Sequence, residues 1–113
     1  MVLPSDTDAA PPFLEPVVAA LVREFRPYRI VLFGSRARGD ARQDSDLDLL
    51  VVAESTEPHH QRMARAHRAL RGLPVAADVF VCTPSEVERY RTWLGHTVAI
   101  ALREGRVVHE RAA

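Results

Sequence analysis

Three short apolar runs constrain this chain most: Tyr28 to Phe33 (YRIVLF), Asp46 to Val52 (DLDLLVV) and Val75 to Cys82 (VAADVFVC). Each has strand length and is rich in β-branched and aromatic residues, so each reads as a strand buried against something else. The segments between them change period. Phe13, Leu14, Val17, Val18, Leu21, Val22 and Phe25 recur at helical spacing and predict a helix to about Arg26. Pro16 is tolerated only in a first turn, which starts that helix near Leu14 or Glu15, and Pro27 ends it. A short helix is expected over Gln61 to Arg71, with Met63, Ala66 and Leu70 facing inward, stopped by Gly72 and Pro74. Thr83-Pro84-Ser85-Glu86 supplies N-cap, N1 proline and N3 glutamate, a capping box for a helix through Tyr90. Thr97 to Glu104 reads as a last helix with Gly105 as its C′ residue, and Arg106 to Glu110 as one more strand. Strands and helices in this order predict an α/β (α+β) domain, a small mixed sheet of about four strands with helices packed on it.

Length and charge narrow the field. At 113 residues the chain encloses one core, expected over residues 13–113, preceded by a flexible tail at 1–12 that lacks periodicity. Fifteen basic and fifteen acidic residues cancel, which argues against a general nucleic-acid binder. Every basic residue is arginine. Without lysine there is no Schiff-base chemistry and no Walker-type phosphate loop. One cysteine cannot form an internal disulfide, no apolar run approaches the ~20 residues of a membrane span, and Asp6 and Asp8 do not fit a secretory leader. A soluble cytoplasmic protein is expected.

The chemistry concentrates in Phe33-Gly34-Ser35-Arg36-Ala37-Arg38-Gly39 and, after it, Ser45-Asp46-Leu47-Asp48-Leu49. Residues two apart on a strand share a face and sit ~6.5–7 Å apart, so Asp46 and Asp48 project together while Leu47 and Leu49 face apolar packing. Two adjacent carboxylates repel, and a hard cation, Mg²⁺ or Mn²⁺, relieves the repulsion. Gly34 follows a strand and lets the backbone approach a ligand closely. The N–H groups of the turn that Ser35 opens, the Ser35 hydroxyl and the charges of Arg36 and Arg38 suit a polyphosphate. A third carboxylate, Asp78, lies in the Val75 to Cys82 run, where an aspartate is costly unless paired or metal-bound. If that strand neighbours Asp46 to Val52, the ~4.8 Å strand spacing brings Asp78 within reach of a shared metal. Together these residues point to metal-assisted attack on a nucleoside triphosphate.

The combination FGSRARG, ten intervening residues from Ser35 to Asp46, then SDLDLLV resembles the nucleotidyltransferases of the polymerase-β superfamily. More narrowly it is similar to the minimal nucleotidyltransferase (MNT) domain, short prokaryotic proteins often paired with a HEPN-domain toxin. The resemblance runs from about Phe13 to Glu110. It implies Gly34 and Ser35 as the triphosphate-binding pair, Asp46 and Asp48 as metal ligands and Asp78 as the third carboxylate, with two Mg²⁺ ions and ATP as substrate. Arg36, Arg38 and Gly39 match a motif of the minimal group. The implied reaction transfers a nucleoside monophosphate to a hydroxyl and releases pyrophosphate. In HEPN-paired members the implied acceptor is a toxin tyrosine, modified with AMP, which makes the protein an antitoxin and a partner of that toxin. Two other readings stand beside it: a binding module that masks its partner without turnover, and an enzyme acting on a small molecule such as an aminoglycoside.

An EF-hand counted from Asp44 fails, because its sixth position is Leu49 and its twelfth Ser55. Gly34 to Gly39 mimics a P-loop, but Asp40 stands where lysine is needed. The acid-free stretch Pro58 to Ala77 carries Arg62, Arg65, Arg68 and Arg71, read as a solvated helix face or else a docking surface. His59, His60 and His67 lack a matching acid or thiol for a metal site. Cys82 reads as packing, while Trp93 and Leu94 are either core or interface.

Overall fold

A computed structural model describes residues 11–39 and 46–112. The described chain runs α1 (Leu14–Phe25), β1 (Arg29–Phe33), α2 (Ser35–Arg38), β2 (Leu47–Val52), α3 (His59–Ala69), β3 (Ala77–Cys82), α4 (Pro84–Tyr90), α5 (Thr97–Glu104) and β4 (Arg106–Glu110). The four strands form one mixed sheet in the order β3-β2-β1-β4. β1 is antiparallel to both β2 and β4, whereas β2 and β3 are parallel and joined through α3. This is the α+β sheet that the strand runs predicted. Of the expected tail only Pro11 and Pro12 are described; Pro11 is buried and its carbonyl accepts from the Leu14 N–H at 3.1 Å.

Both faces of the sheet are covered, which explains the nearly unbroken apolar character of β2. On one face Ile30, Leu32, Leu47, Leu49, Val51, Val79 and Val81 pack with Leu14, Val17, Leu21 and Phe25 of α1 and Ala66 of α3. On the other, Val31, Phe33, Leu50, Val52 and Cys82 pack with Val98 and Ala101 of α5. Strand alternation puts Asp48 on this second face, in line with Leu50 and Val52. Leu50 and Val52 are buried and Asp48 only half-buried, so Asp48 sits where this second apolar cluster ends.

The capping box forms: Thr83 Oγ accepts from the Glu86 N–H, and Glu86 Oε1 accepts from the Thr83 N–H at 2.8 Å. Two expectations are corrected. Gly105 does not take the left-handed conformation of a C′ glycine; it is extended, at φ −88° and ψ 175°. Its requirement is closeness, because a Cβ there would lie 2.5 Å from the Ala101 carbonyl oxygen and 2.5 Å from Val31 Cγ1. Nor do the α3 arginines form one solvated face. Arg62 is 6% exposed and donates to the Glu57 carbonyl at 2.9 Å, the Val81 carbonyl at 3.1 Å and the Glu86 carboxylate at 2.6 and 3.3 Å. Arg65 pairs with Glu57 and with Glu24 at 3.0 Å and lies over the Phe25 ring. These arginines fasten α3 to β3, α4 and α1.

Candidate functional site

The site begins where β1 ends. Gly34 has φ 73° and ψ −157°, a region essentially closed to other residues, and turns the chain sharply into the single turn of α2. Its carbonyl accepts from the Ala37 and Arg38 N–H groups, both at 3.0 Å, and Gly39 closes the turn by donating to the Ser35 carbonyl at 3.0 Å. No side chain caps the start of α2. The leading N–H groups of such a turn have no partner within it, so they suit an anion's oxygens.

The reason for glycine is sharper than close approach of a ligand. A Cβ at position 34 would fall 2.2 Å from Asp48 Oδ2, so the carboxylate of β2 lies directly against the Gly34 backbone. Register places this contact, since Phe33 is the β1 partner of Asp48. On its other side Asp48 is the parallel partner of Asp78 in β3. Asp46 immediately precedes β2 and is exposed, and the Leu47 N–H, donating to the Ala76 carbonyl at 3.0 Å, ties the chain there to β3.

The electrostatics report the crowding. Asp48's carboxyl is pushed above its ordinary value, first by burial, then by the charges of Asp78 and Asp46, while Arg38 pulls it back down. The aspartates thus sense one another, and Arg38 reaches the same neighbourhood. Arg38 Nη1 also donates to Glu104 Oε1 at 3.4 Å. Behind the acids, Phe33 and Phe80 contact each other with ring centroids 6.3 Å apart.

Gly34, Asp48 and Asp78 therefore come together, with Asp46 and Arg38 within electrostatic reach; Ser35 and Arg36 are half-buried in the adjoining turn. Asp78 is exposed rather than enclosed in apolar surroundings, because β3 is an edge strand. Burial therefore places no demand on Asp78, and its register opposite Asp48 is what brings it to this corner. Asp44 and Asp40 lie outside the described residues. Among the described residues, no group of three or more His, Cys, Asp or Glu side chains forms a ready-made ion cage. The arrangement fits Mg²⁺ nonetheless: hard oxygen donors repelling one another, beside a turn suited to phosphate. Mg²⁺ is typically held by one or two carboxylates plus substrate phosphates rather than by an all-protein cage.

Sequence reasoning missed Glu104, because its partner Arg38 is 66 residues away and no local pattern links them. Cys82 packs as expected: it is buried, and burial with the Glu86 charge pushes its thiol up to about 11 against the opposing pull of Arg62. Trp93 and Leu94, left open between core and interface, are 57% and 77% exposed. Trp93 stands edge-on to Tyr90, and the Tyr90 ring stacks on His96 at 4.2 Å.

The mixed sheet thus presents a glycine-serine turn against Asp48, with Asp78 beside it. The chain belongs to the nucleotidyltransferase domain family, whose model matches residues 14–100. No curated protein matches it. Among solved structures it is similar to a candidate nucleotidyltransferase from Sulfolobus solfataricus, with 23% identity and a TM-score of 0.65, covering 94% of this chain and 86% of that one. It is also similar to a chain in the crystal structure of a toxin-antitoxin with AMP-PNP, with 23% identity and a TM-score of 0.60, covering 87% of this chain and 74% of that one. At such identities the two likenesses attest the fold. No described helix is long and apolar enough to cross a membrane.

Proposed function

We propose that the protein is a Mg²⁺-dependent nucleotidyltransferase that moves AMP from ATP to a hydroxyl, and that the acceptor is a tyrosine of a HEPN-type toxin it antagonises in the cytoplasm. The observation that carries the reading is the meeting of Asp48 with the Gly34 backbone on one side and Asp78 on the other. It joins the phosphate turn to the carboxylates within one site. Family membership supports the reaction class. AMP-PNP in the similar toxin-antitoxin structure supports an adenine nucleotide and a protein partner.

The residues divide the work by chemistry. The Gly34-Ser35 turn holds triphosphate oxygens with its N–H groups and the Ser35 hydroxyl, while Arg36 and Arg38 add positive charge. Asp46, Asp48 and Asp78 would hold the metal, which supplies charge neutralisation at the phosphates and a more nucleophilic hydroxyl. Asp78, exposed at the sheet edge, is open to the acceptor and takes the proton of the attacking hydroxyl. The new bond joins that oxygen to the α-phosphorus, and the bond to the β-phosphate breaks to release pyrophosphate. The test is incubation with α-labelled ATP, Mg²⁺ and the protein encoded beside this one. Label should reach that protein, and Asp46→Ala with Asp48→Ala should abolish the transfer; no transfer, or equal transfer by the variant, refutes the reading.

The exposure of Trp93 and Leu94 favours a second reading, in which the protein masks its partner without turnover. Co-expression separates the two. A double aspartate variant that still neutralises the toxin supports masking, and loss of neutralisation supports catalysis.

A further inference from the structure

The last helix and the nucleotide turn meet at one ion pair. Glu104 ends α5, and its Oε1 accepts from Arg38 Nη1 at 3.4 Å, with side-chain exposures of 34% and 48%. The position of Glu104 is fixed from below. Gly105 runs extended into β4, and a Cβ on it would lie 2.5 Å from Val31 Cγ1 and 2.8 Å from the Leu32 carbonyl oxygen. The Gly105 N–H donates to the Ala101 carbonyl at 2.8 Å, and Arg106 then pairs with Leu32 in the sheet. The end of α5 is thus seated on the last residues of β1, the strand that delivers Gly34. Glu104 stands on this platform beside α2.

Arg38 closes α2, and its long side chain has many rotamers open to it. Its charge acts on Asp48, so the guanidinium has Glu104 and the Asp48 carboxylate as neighbours. A guanidinium fork can serve a carboxylate and a phosphate at once. We propose that Glu104 is a positioning residue, holding Arg38 at the mouth of the nucleotide turn so that its guanidinium meets the incoming triphosphate. The proposal rests on the reading of Gly34 to Arg38 as a triphosphate-binding turn. In this role Glu104 acts through Arg38, which Oε1 meets, while its Oε2 lies 4.0 Å from Arg103 Nη2.

The pair is partly exposed, and such pairs change an equilibrium by about two- to five-fold. Calorimetric titration of the whole protein with ATP and Mg²⁺ tests the idea through a double-mutant cycle. Glu104→Gln should weaken ATP binding about two- to five-fold. Arg38→Gln should weaken it further, and adding Glu104→Gln to Arg38→Gln should change nothing more. Thermal unfolding of the four proteins, followed alongside, should show all of them folded at the titration temperature, with Glu104→Gln lowering the midpoint by no more than loss of one exposed pair does. Unchanged or tighter ATP binding by Glu104→Gln overturns the positioning role. So does an equal loss in the Arg38→Gln background, which would mark Glu104 as a support of α5. If the unaltered protein fails to bind ATP with Mg²⁺, the proposed function falls and this inference with it. If the unaltered protein binds and Glu104→Gln is silent, only the inference falls.

Discussion

Substituting Gly34 with alanine perturbs backbone and site together. At φ 73° and ψ −157° the backbone occupies a region that non-glycine residues enter at a cost of about 1–3 kcal/mol. The added methyl would also stand 2.2 Å from Asp48 Oδ2. That oxygen is the free end of a side chain and turns away cheaply, so the backbone cost dominates the stability change. The turning is limited, because Asp48 Cγ and Cβ would be 3.1 and 3.3 Å from the same methyl. Asp48 therefore leaves its place between Gly34 and Asp78, and the corner proposed to hold a metal and a triphosphate comes apart. Urea denaturation should show Gly34→Ala less stable by about 1–3 kcal/mol, out of about 5–15 for a domain of this size. ATP titration in Mg²⁺ should show binding lost beyond what the surviving folded fraction explains. A stability loss below about 0.5 kcal/mol with unchanged ATP affinity would refute the reasoning, for it would mean that neither the strain nor the contact governs the site.

Four further outcomes are expected. Arg62→Met removes a guanidinium that serves two carbonyls and Glu86, and urea denaturation at pH 7 should show a loss of about 3 kcal/mol, the low end of the buried-pair range because Glu86 is a third exposed. Burial raises the Glu86 carboxyl, but Arg62 and Thr83 outweigh it and hold it below 4.5; its stabilisation exists above that value and is lost as pH falls through the depressed one, so the Arg62→Met deficit should shrink in acid. Asp48→Asn should act oppositely: the raised Asp48 carboxyl makes ionisation costly to the native state, so the variant should gain about 0.2–1 kcal/mol at pH 7, a gain that disappears below pH 3.8. Thr83→Ala should cost about 1 kcal/mol by loss of the N-cap, read from the same urea curves. Cys82, buried with its thiol raised to about 11, should react with a thiol reagent at pH 7.5 only as fast as the protein opens, and fast labelling of the native state would contradict its packing role.

What was legible in the sequence is what depends on near neighbours. The periods of Leu14 to Phe25 and of Leu47 to Val52, and the capping box at Thr83, are local, and each element formed within a residue or two of its expected span. Asp48 was readable for the same reason, by strand alternation, whereas Asp46 falls one residue before β2 and outside the reach of that rule. Asp78 required knowing that β3 lies beside β2, a pairing that the sequence suggests only through the helix between them. The α3 arginines show the limit most clearly. Stepping by three, Arg62 to Arg71 look like a solvated spiral, yet Arg62 turns inward because Glu86 and the Val81 carbonyl await it from β3 and α4. Gly105 was recognised as special but for the wrong reason: helix-end statistics favour a left-handed glycine, while the close floor of Val31 and Leu32 is visible only once β4 pairs with β1. Glu104 was invisible for the same cause.

The central claim is that the Gly34, Asp48 and Asp78 corner transfers a nucleotidyl group. Intact-mass measurement of the neighbouring protein, after incubation with this one, ATP and Mg²⁺, tests it most directly when pyrophosphate is assayed in the same tube. The account predicts a mass gain of one AMP group per modified hydroxyl, matched mole for mole by pyrophosphate and absent with Asp46→Asn plus Asp48→Asn. A neighbour whose mass never changes, or a gain that survives both substitutions, would contradict it.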